Sequence, residues 1–455
     1  VKLFIHRISA GFQHKLGKGK GREAEVISGF FTVTLARLVS VRPEEVRAML
    51  WAFAYFFCLL TGYYILRPLR DEMGVRAGVE NLQWLFSGTF IAMLLAAPVF
   101  GWVVSRFSRR QFIPWVYRFF VLNILIFFAL LTLGWAEVTV ARAFFVWVSV
   151  YNLFVITVFW GFMSDLFRSK QGKRLFGFIA AGGSAGALLG PSLTATLAVP
   201  LGPINLLLIS AVFLELAVWC VRGLLTEQGQ NQDQDQGAKR NDAVIGGGFL
   251  DGIKEIARSR YLAMIFLHIV LLSMTATFLY FQQATIVAAA TQDSGERTQL
   301  FALIDLAASM LTITVQLLLT GRLIARFGVG AALSFLPLVT LVGFLVLALA
   351  PVLAVVVVFQ AIKRAAEFAL SNPAREILFT VVTREQKYKS KSFLDTAVLR
   401  GADMVSGFGY AGLRGVGLDL SGIALVTLPV ALAWMGVTFA LGRRQERLAA
   451  AETTL

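Results

Sequence analysis

The sequence predicts an all-α polytopic membrane protein, and three observations carry that prediction. Of 455 residues, 57% are hydrophobic and only 15% charged, well outside the usage of soluble domains. Mean hydropathy is +0.72, and the apolar residues gather in runs long enough to cross a bilayer as helices. The alternating pattern of a membrane β-barrel is absent.

Apolar windows place twelve spans, at 48–74, 82–104, 112–134, 138–165, 175–198, 203–224, 261–290, 298–321, 329–349, 352–382, 393–417 and 422–442. Several exceed the roughly 20 residues a crossing needs, so tilt or kinks are expected. The chain divides into a basic segment 1–47, a six-helix half 48–224, a linker 225–260, a second six-helix half 261–442 and a tail 443–455. The linker contains "TEQGQNQDQDQGAKRNDAVIGGG", too polar to bury a core. The first 47 residues are basic and weakly apolar, unlike a cleaved signal peptide.

Net charge is +15 and the isoelectric point about 10.1. With the N-terminus in the cytoplasm, the basic tail, "SRFSRR", "RSKQGKR", the linker, "GRLIARFG", "REQKYKSK" and "GRRQER" all fall on one side. They hold about 31 of the 42 Lys and Arg. The opposite loops hold few, among them Arg76, Arg142, Arg297 and Arg414. This asymmetry predicts a multi-pass inner (plasma) membrane protein with both termini cytoplasmic. It accounts for much of the basicity without nucleic acid. Lys15, Lys18, Lys20 and Arg22 precede "GFFTVTLARLV", which reads as a helix lying on anionic lipids or as a solvated basic tail. "GKGKG" lacks P-loop spacing and a preceding strand, so nucleotide hydrolysis is not expected. Cys58 and Cys220 sit in apolar runs, which argues against a disulfide or zinc site. A carrier rather than an enzyme is expected, with no cofactor and no metal.

The halves echo one another. "FGWVVSRFSRR" follows the second span and "TGRLIARFGVG" the eighth, with Gly101 and Gly321 about 220 residues apart. Arg168 after the fourth span and Arg384 after the tenth keep about the same interval. Two related halves in parallel orientation are the architecture of the major facilitator group. The run Gly101–Arg110 resembles that group's signature between spans 2 and 3, with Ser105 where an Asp is usual.

Charges inside a bilayer are costly and mark cavities, pairs or pathways. Here they are Arg67, Arg70, Asp71 and Glu72 in the first span, Arg118 in the third, Asp165 ending the fourth and Asp305 in the eighth. The tenth adds Lys363, Arg364, Glu367, Arg375 and Glu376, and the eleventh Asp395, Arg400 and Asp403. Helical spacing puts Tyr63, Arg67, Arg70 and Gly74 on one stripe, Gln360, Lys363, Arg364 and Glu367 on another, and Thr396, Arg400, Asp403 and Gly407 on a third. Three polar stripes suit a central water-filled pathway. Arg364–Glu367, Arg400–Asp403 and Arg70–Asp71 can equally be ion pairs that lock helices or halves. Arg predominates, which suits bidentate recognition of phosphate or carboxylate.

Pro373 is expected to kink the tenth span beside Arg375 and Glu376. In the seventh, Tyr280, Gln282 and Gln283 offer uncharged hydrogen-bonding groups to the same pathway or to the core. His268 reads as an interior histidine. Gly182, Gly186 and Gly190, four residues apart, read as a close helix contact.

Several stretches together resemble the bacterial and plastid ATP/ADP translocases. "LRPLRD" is similar to the Leu-Arg-x-x-Lys-Asp run that ends their first span, with Arg70 at the Lys position and Asp71 matching. "FWGFMSD", followed by Lys173–Arg174, resembles their fourth span, with Asp165 at a Glu position. "NPARE" resembles their Asp-Pro-x-Lys-Glu, with Arg375 at the Lys position, and "KYKSKSFLDTAVLRGAD" their following run. The translocases' Lys-Asp-Thr-Leu-Val is here "RDEMGV". The resemblance implies a carrier of phosphorylated nucleosides; with the two halves it leads to the expectation of a bacterial secondary transporter of an anionic, nucleotide-like solute, a monomer working by alternating access. Tyr63, Arg67, Arg70, Arg118, Tyr280, Gln283, Lys363, Arg364, Arg375 and Arg400 are the candidates for binding. Asp71, Asp165, Asp305, Glu367, Glu376 and Asp403 are the candidates for gating or proton coupling. The alternative is a proton-coupled permease or exporter of a lipid-linked, siderophore-like or organic-acid solute.

Overall fold

A computed structural model describes residues 42, 45–106, 109–167, 169–231 and 251–453. Lys15, Lys18, Lys20 and Arg22 of the basic segment, residues 232–250 of the linker, Arg168 and residues 107–108 lie outside the described residues.

The first half is α1 (Val46–Arg76), α2 (Leu82–Arg106), α3 (Arg109–Thr132), α4 (Glu137–Leu166), α5 (Ser169–Leu201) and α6 (Leu206–Asn231). The second opens with short α7 (Asp251–Arg258) and then α8 (Arg260–Ala290). α9 (Ser294–Val315) continues through a π turn, Gln316–Thr320, into α10 (Gly321–Leu349). Next come α11 (Leu353–Ala366), a π turn Glu367–Ser371 and α12 (Asn372–Leu378). α13 (Arg384–Phe393) then leads through a third π turn, Leu394–Val398, into α14 (Leu399–Gly415), and α15 (Leu420–Thr453) ends the chain.

Among the described residues, nine helical segments are long and apolar enough to cross a membrane. One of them, Ser294–Leu349, makes two crossings, because Gly328 breaks it at φ 79° and ψ 172°. Only glycine adopts that backbone without strain. The remaining two crossings are α11–α12 and α14, whose π turns and charges interrupt the apolar run. The architecture is thus twelve spans in two pseudo-symmetric six-helix halves.

The first half is held by an aromatic core. Phe56 stacks on Phe159 with centroids 4.1 Å apart, and Tyr55 meets Phe159 edge-on at 4.9 Å. α5 lies against α1 through Gly182, Gly186 and Gly190. A Cβ on Gly182, Gly186 or Gly190 would come within 2.5, 2.6 and 2.8 Å of the carbonyl oxygens of Phe53, Phe57 and Thr61. A backbone ridge cannot yield as a side chain can, so Gly186→Val should cost about 1–3 kcal/mol or more. Thermal unfolding in detergent checks this: a melting temperature well below wild type is expected.

Pro373 does not break its helix. The distortion falls one turn earlier, in the π turn Glu367–Ser371. Proline has no N–H to give the carbonyl four residues back, and Thr320 Oγ1 donates to that carbonyl, Ala369 O, at 2.8 Å. Gln316 Nε2 donates to the neighbouring Phe368 O at 3.1 Å. The π turn of the eighth span therefore supports that of the tenth. Gln316 and Thr320 supply what the proline withholds.

A charged seam between the halves as the candidate functional site

α1 runs unbroken from Val46 to Arg76 with Pro68 buried inside it. Tyr63, Tyr64, Arg67 and Arg70 are its partly exposed residues near the middle, flanked by buried Ile65, Leu66 and Leu69. Tyr63, Arg67 and Arg70 of the stripe read from helical spacing therefore share a partly exposed face, while Gly74 is buried beside Phe145 and Leu82. Arg67 and Arg70 reach across to Asp305 and Tyr280 of the second half.

Arg67 Nε lies 3.6 Å from Asp305 Oδ2 on α9, and Arg364 of α11 is in contact with Asp305 Oδ1. The three side chains are 22%, 3% and 12% exposed, so the charges are largely removed from water. One carboxylate is shared by two guanidinium groups that come from opposite halves. The cluster carries one formal positive charge in excess, and Arg364 Nε has no hydrogen-bond partner. A planar anion fits such a pair of forks.

One turn on, Arg70 Nε sits 3.3 Å from Asp71 Oδ1. Tyr280 of α8 donates its hydroxyl to the same oxygen at 2.9 Å. The Arg70 guanidinium lies over the Phe145 ring at 4.5 Å from its centroid. Next along α1, Glu72 is fully buried. Arg297 grips it with Nε and Nη2 at 2.7 and 2.8 Å, and Ser294 donates its hydroxyl at 2.8 Å. Gln299 Nε2 donates to Ala195 O at 2.7 Å close by. These bonds tie the halves together at the end remote from the chain's basic loops.

Within the second half, Lys363 is 2% exposed and lies 3.6 Å from Glu367. Gln360 donates to Gln283. Arg400 Nη1 meets Asp403 Oδ2 at 3.2 Å, and Ser273 donates to Asp403 Oδ1 at 2.5 Å. Of the three ion pairs considered from sequence, Arg70–Asp71 and Arg400–Asp403 form. Arg364 and Glu367 take other partners, because Asp305 and Lys363 reach them first across and along the helices.

Four candidates lie elsewhere. Arg375 pairs with Asp395 at 3.5 Å, and Glu376 with Lys391 at 2.6 Å, towards the basic end of the bundle. Asp165 is exposed in the last turn of α4. Arg118 is turned away from the seam and bonds Glu215 of α6 at 2.9 Å. His268 accepts from Trp434 Nε1 at 3.0 Å inside the second half, as an interior histidine should. The Glu72–Arg297 latch was missed from sequence, since Arg297 reads as a loop residue. Its signal was "DSGE": Asp293 caps the helix by accepting from Glu296 N at 2.8 Å, so α9 starts early enough to bury Arg297.

Two cavities flank the seam. One of about 210 Å³ is lined by α1, α5, α9 and α11, including Tyr64, Ser184, Gln316 and Arg364. The other, about 490 Å³, lies between α2, α4 and α14, with Asn152, Thr396 and Arg400 among apolar Phe90, Met93 and Leu94.

Several solved transporter structures share this fold. The chain is similar to a bacterial homologue of the iron transporter ferroportin in an inward-facing state, with TM-score 0.64 and 12% identity over 87% of this chain and 99% of that one. It is similar to the nucleoside transporter NupG, with TM-score 0.54 and 13% identity over 90% and 99%. A bacterial homologue of the lysosomal transporter Spinster, inward-facing and unoccupied, gives TM-score 0.55 and 14% identity over 89% and 99%. At such identities the likeness shows the fold. No curated protein matches the chain. Residues 52–372 match the sequence profile of the Major Facilitator Superfamily, and with that match, the two six-helix halves and the charged seam between them, the chain belongs to this superfamily of membrane transporters.

Proposed function

We propose that this protein is a secondary transporter of an anionic, phosphate-bearing solute of nucleotide type. The carrying observation is that Arg67 and Arg364, from opposite halves, converge on the single carboxylate of Asp305. An incoming anion replaces that carboxylate as the ligand of one or both guanidinium groups. Binding then couples directly to how the halves sit against one another, as alternating access requires. Arg70, Lys363 and Arg400 extend the positive face, and Tyr63 and Tyr280 offer rings beside it. Asp71, Asp305, Glu367 and Asp403 balance the empty carrier, while Asp165 and Glu376 belong to its basic end. The Glu72–Arg297 latch belongs to the arrangement closed at the far end. The resemblance to ATP/ADP translocases supports the nucleotide class. Positive charge gathered on one side supports a bacterial inner membrane location with both termini cytoplasmic. One chain holds a complete pathway.

Proteoliposomes loaded with ADP and supplied with external labelled ATP test the reading. Exchange that falls at least tenfold on Arg70→Ala is expected. Uptake driven by a pH gradient alone and indifferent to internal nucleotide favours the second reading, a proton-coupled permease. The apolar lining of the cavity between α2, α4 and α14 supports a lipid-linked solute in that case.

A further inference from the structure

Two charged side chains sit where a membrane protein has least use for them. Arg118 of α3 and Glu215 of α6 bond at 2.9 Å with side chains 47% and 35% exposed. Each lies about nine residues into its helix. At 1.5 Å per residue, and with the helices antiparallel, that is roughly 13 Å from opposite ends, near the middle of the bilayer. Neither residue lines the cavities of the seam. Around them the face is apolar and open: Trp115, Phe119, Leu122, Val212 and Trp219 are all exposed. Ionisable groups at this depth normally face a bundle interior or water. An arginine carries five N–H donors, and hydrocarbon offers no acceptor for those left over.

We propose that the α3/α6 face docks a second copy of the chain side by side in the membrane. The charges are self-complementary. A two-fold axis along the membrane normal keeps every residue at its own depth and sets α3 against α6 of the copy. Arg118 then meets the second copy's Glu215, and Glu215 the second copy's Arg118, in a ring of four alternating charges that uses the spare donors and lone pairs. Trp115 and Trp219 lie at a common level one turn towards the basic end and provide the apolar anchors of the interface. Depth disfavours a lipid headgroup, which sits at the membrane surface. Each copy keeps its own pathway, because the seam lies on α1, α9 and α11.

The test is subunit counting by single-molecule photobleaching of full-length, dye-labelled protein in vesicles at low protein density. Wild type should give dimers above chance co-capture. Arg118→Glu copies alone and Glu215→Arg copies alone should each associate about tenfold or more weakly, while a mixture of the two should form heterodimers. The Arg118→Glu/Glu215→Arg double variant keeps its internal ion pair and serves if either single variant fails to fold. Its copies should pair with themselves and not with wild type, since like charges then face each other. Wild type that stays monomeric overturns the proposal and leaves the face to lipid or to a different membrane protein. Dimers that form equally in both single variants, or double-variant copies that pair freely with wild type, overturn it as well.

Discussion

Arg297→Ala is expected to release the far end of the bundle. Glu72 is fully buried and takes both arms of the Arg297 fork plus the Ser294 hydroxyl. Arg297 also donates to Thr291 O and Gln292 O at 3.3 and 3.1 Å, so it pins the turn between α8 and α9. Removing one partner of a buried pair leaves an uncompensated charge, at a cost of about 3–5 kcal/mol. That cost falls on the closed arrangement, because opening the far end rehydrates Glu72. A shift of about a hundredfold or more in favour of the open arrangement follows. Spin labels at Glu80 and Gln292, both exposed and on opposite halves, report it as a longer distance distribution. Arg297→Lys keeps the charge and loses the fork, so its distribution should lie between. Identical distributions in all three proteins would show that the Glu72–Arg297 bond does not hold the far end closed.

Asp305→Asn should separate binding from movement. In the empty protein the carboxylate competes with any anion for Arg67 and Arg364. Without it, two largely buried cations face each other unbalanced, and an anion gains what Asp305 gave up. Affinity for the proposed anionic solute should rise about tenfold, while turnover falls, because the empty carrier can no longer neutralise its own charges and return. Arg364→Ala should act in the opposite sense, weakening binding by about a hundredfold, near the loss of a charge-assisted bidentate contact. Arg364→Lys should rescue it poorly, since an ammonium is not a fork. Equilibrium binding by calorimetry and initial rates in proteoliposomes separate the two effects. A fall in affinity on Asp305→Asn would show that the carboxylate belongs to the substrate site itself.

The twelve spans were legible because hydrocarbon demands long apolar runs, and the α1 stripe because Tyr63, Arg67 and Arg70 share helical spacing. Partner choice was not. Whether Arg364 pairs with Glu367 on its own helix or with Asp305 on α9 depends on how the helices pack, which spacing along one chain does not encode. The same limit explains Arg118. Its helix carries apolar residues on every side, so nothing local shows that it faces away from the pathway. The π turns escaped for another reason. Pro373 marks a missing hydrogen bond, but where the backbone widens depends on Thr320 and Gln316, some fifty residues earlier, reaching the freed carbonyls. Gly182, Gly186 and Gly190 were readable as a close contact because their spacing alone defines a bare helix face.

The proposed transporter binds an anion at the seam between the halves through guanidinium groups from both. Thermal unfolding of the purified protein against a panel of nucleotides, sugar phosphates, organic acids and neutral solutes tests it most directly. A ligand that binds only the folded state raises the melting temperature by mass action. At least one anion, foremost a nucleotide, should raise it in wild type, and Arg67→Ala and Arg364→Ala should each abolish the rise. Stabilisation by a neutral solute alone, or by an anion equally in wild type and both variants, would contradict it.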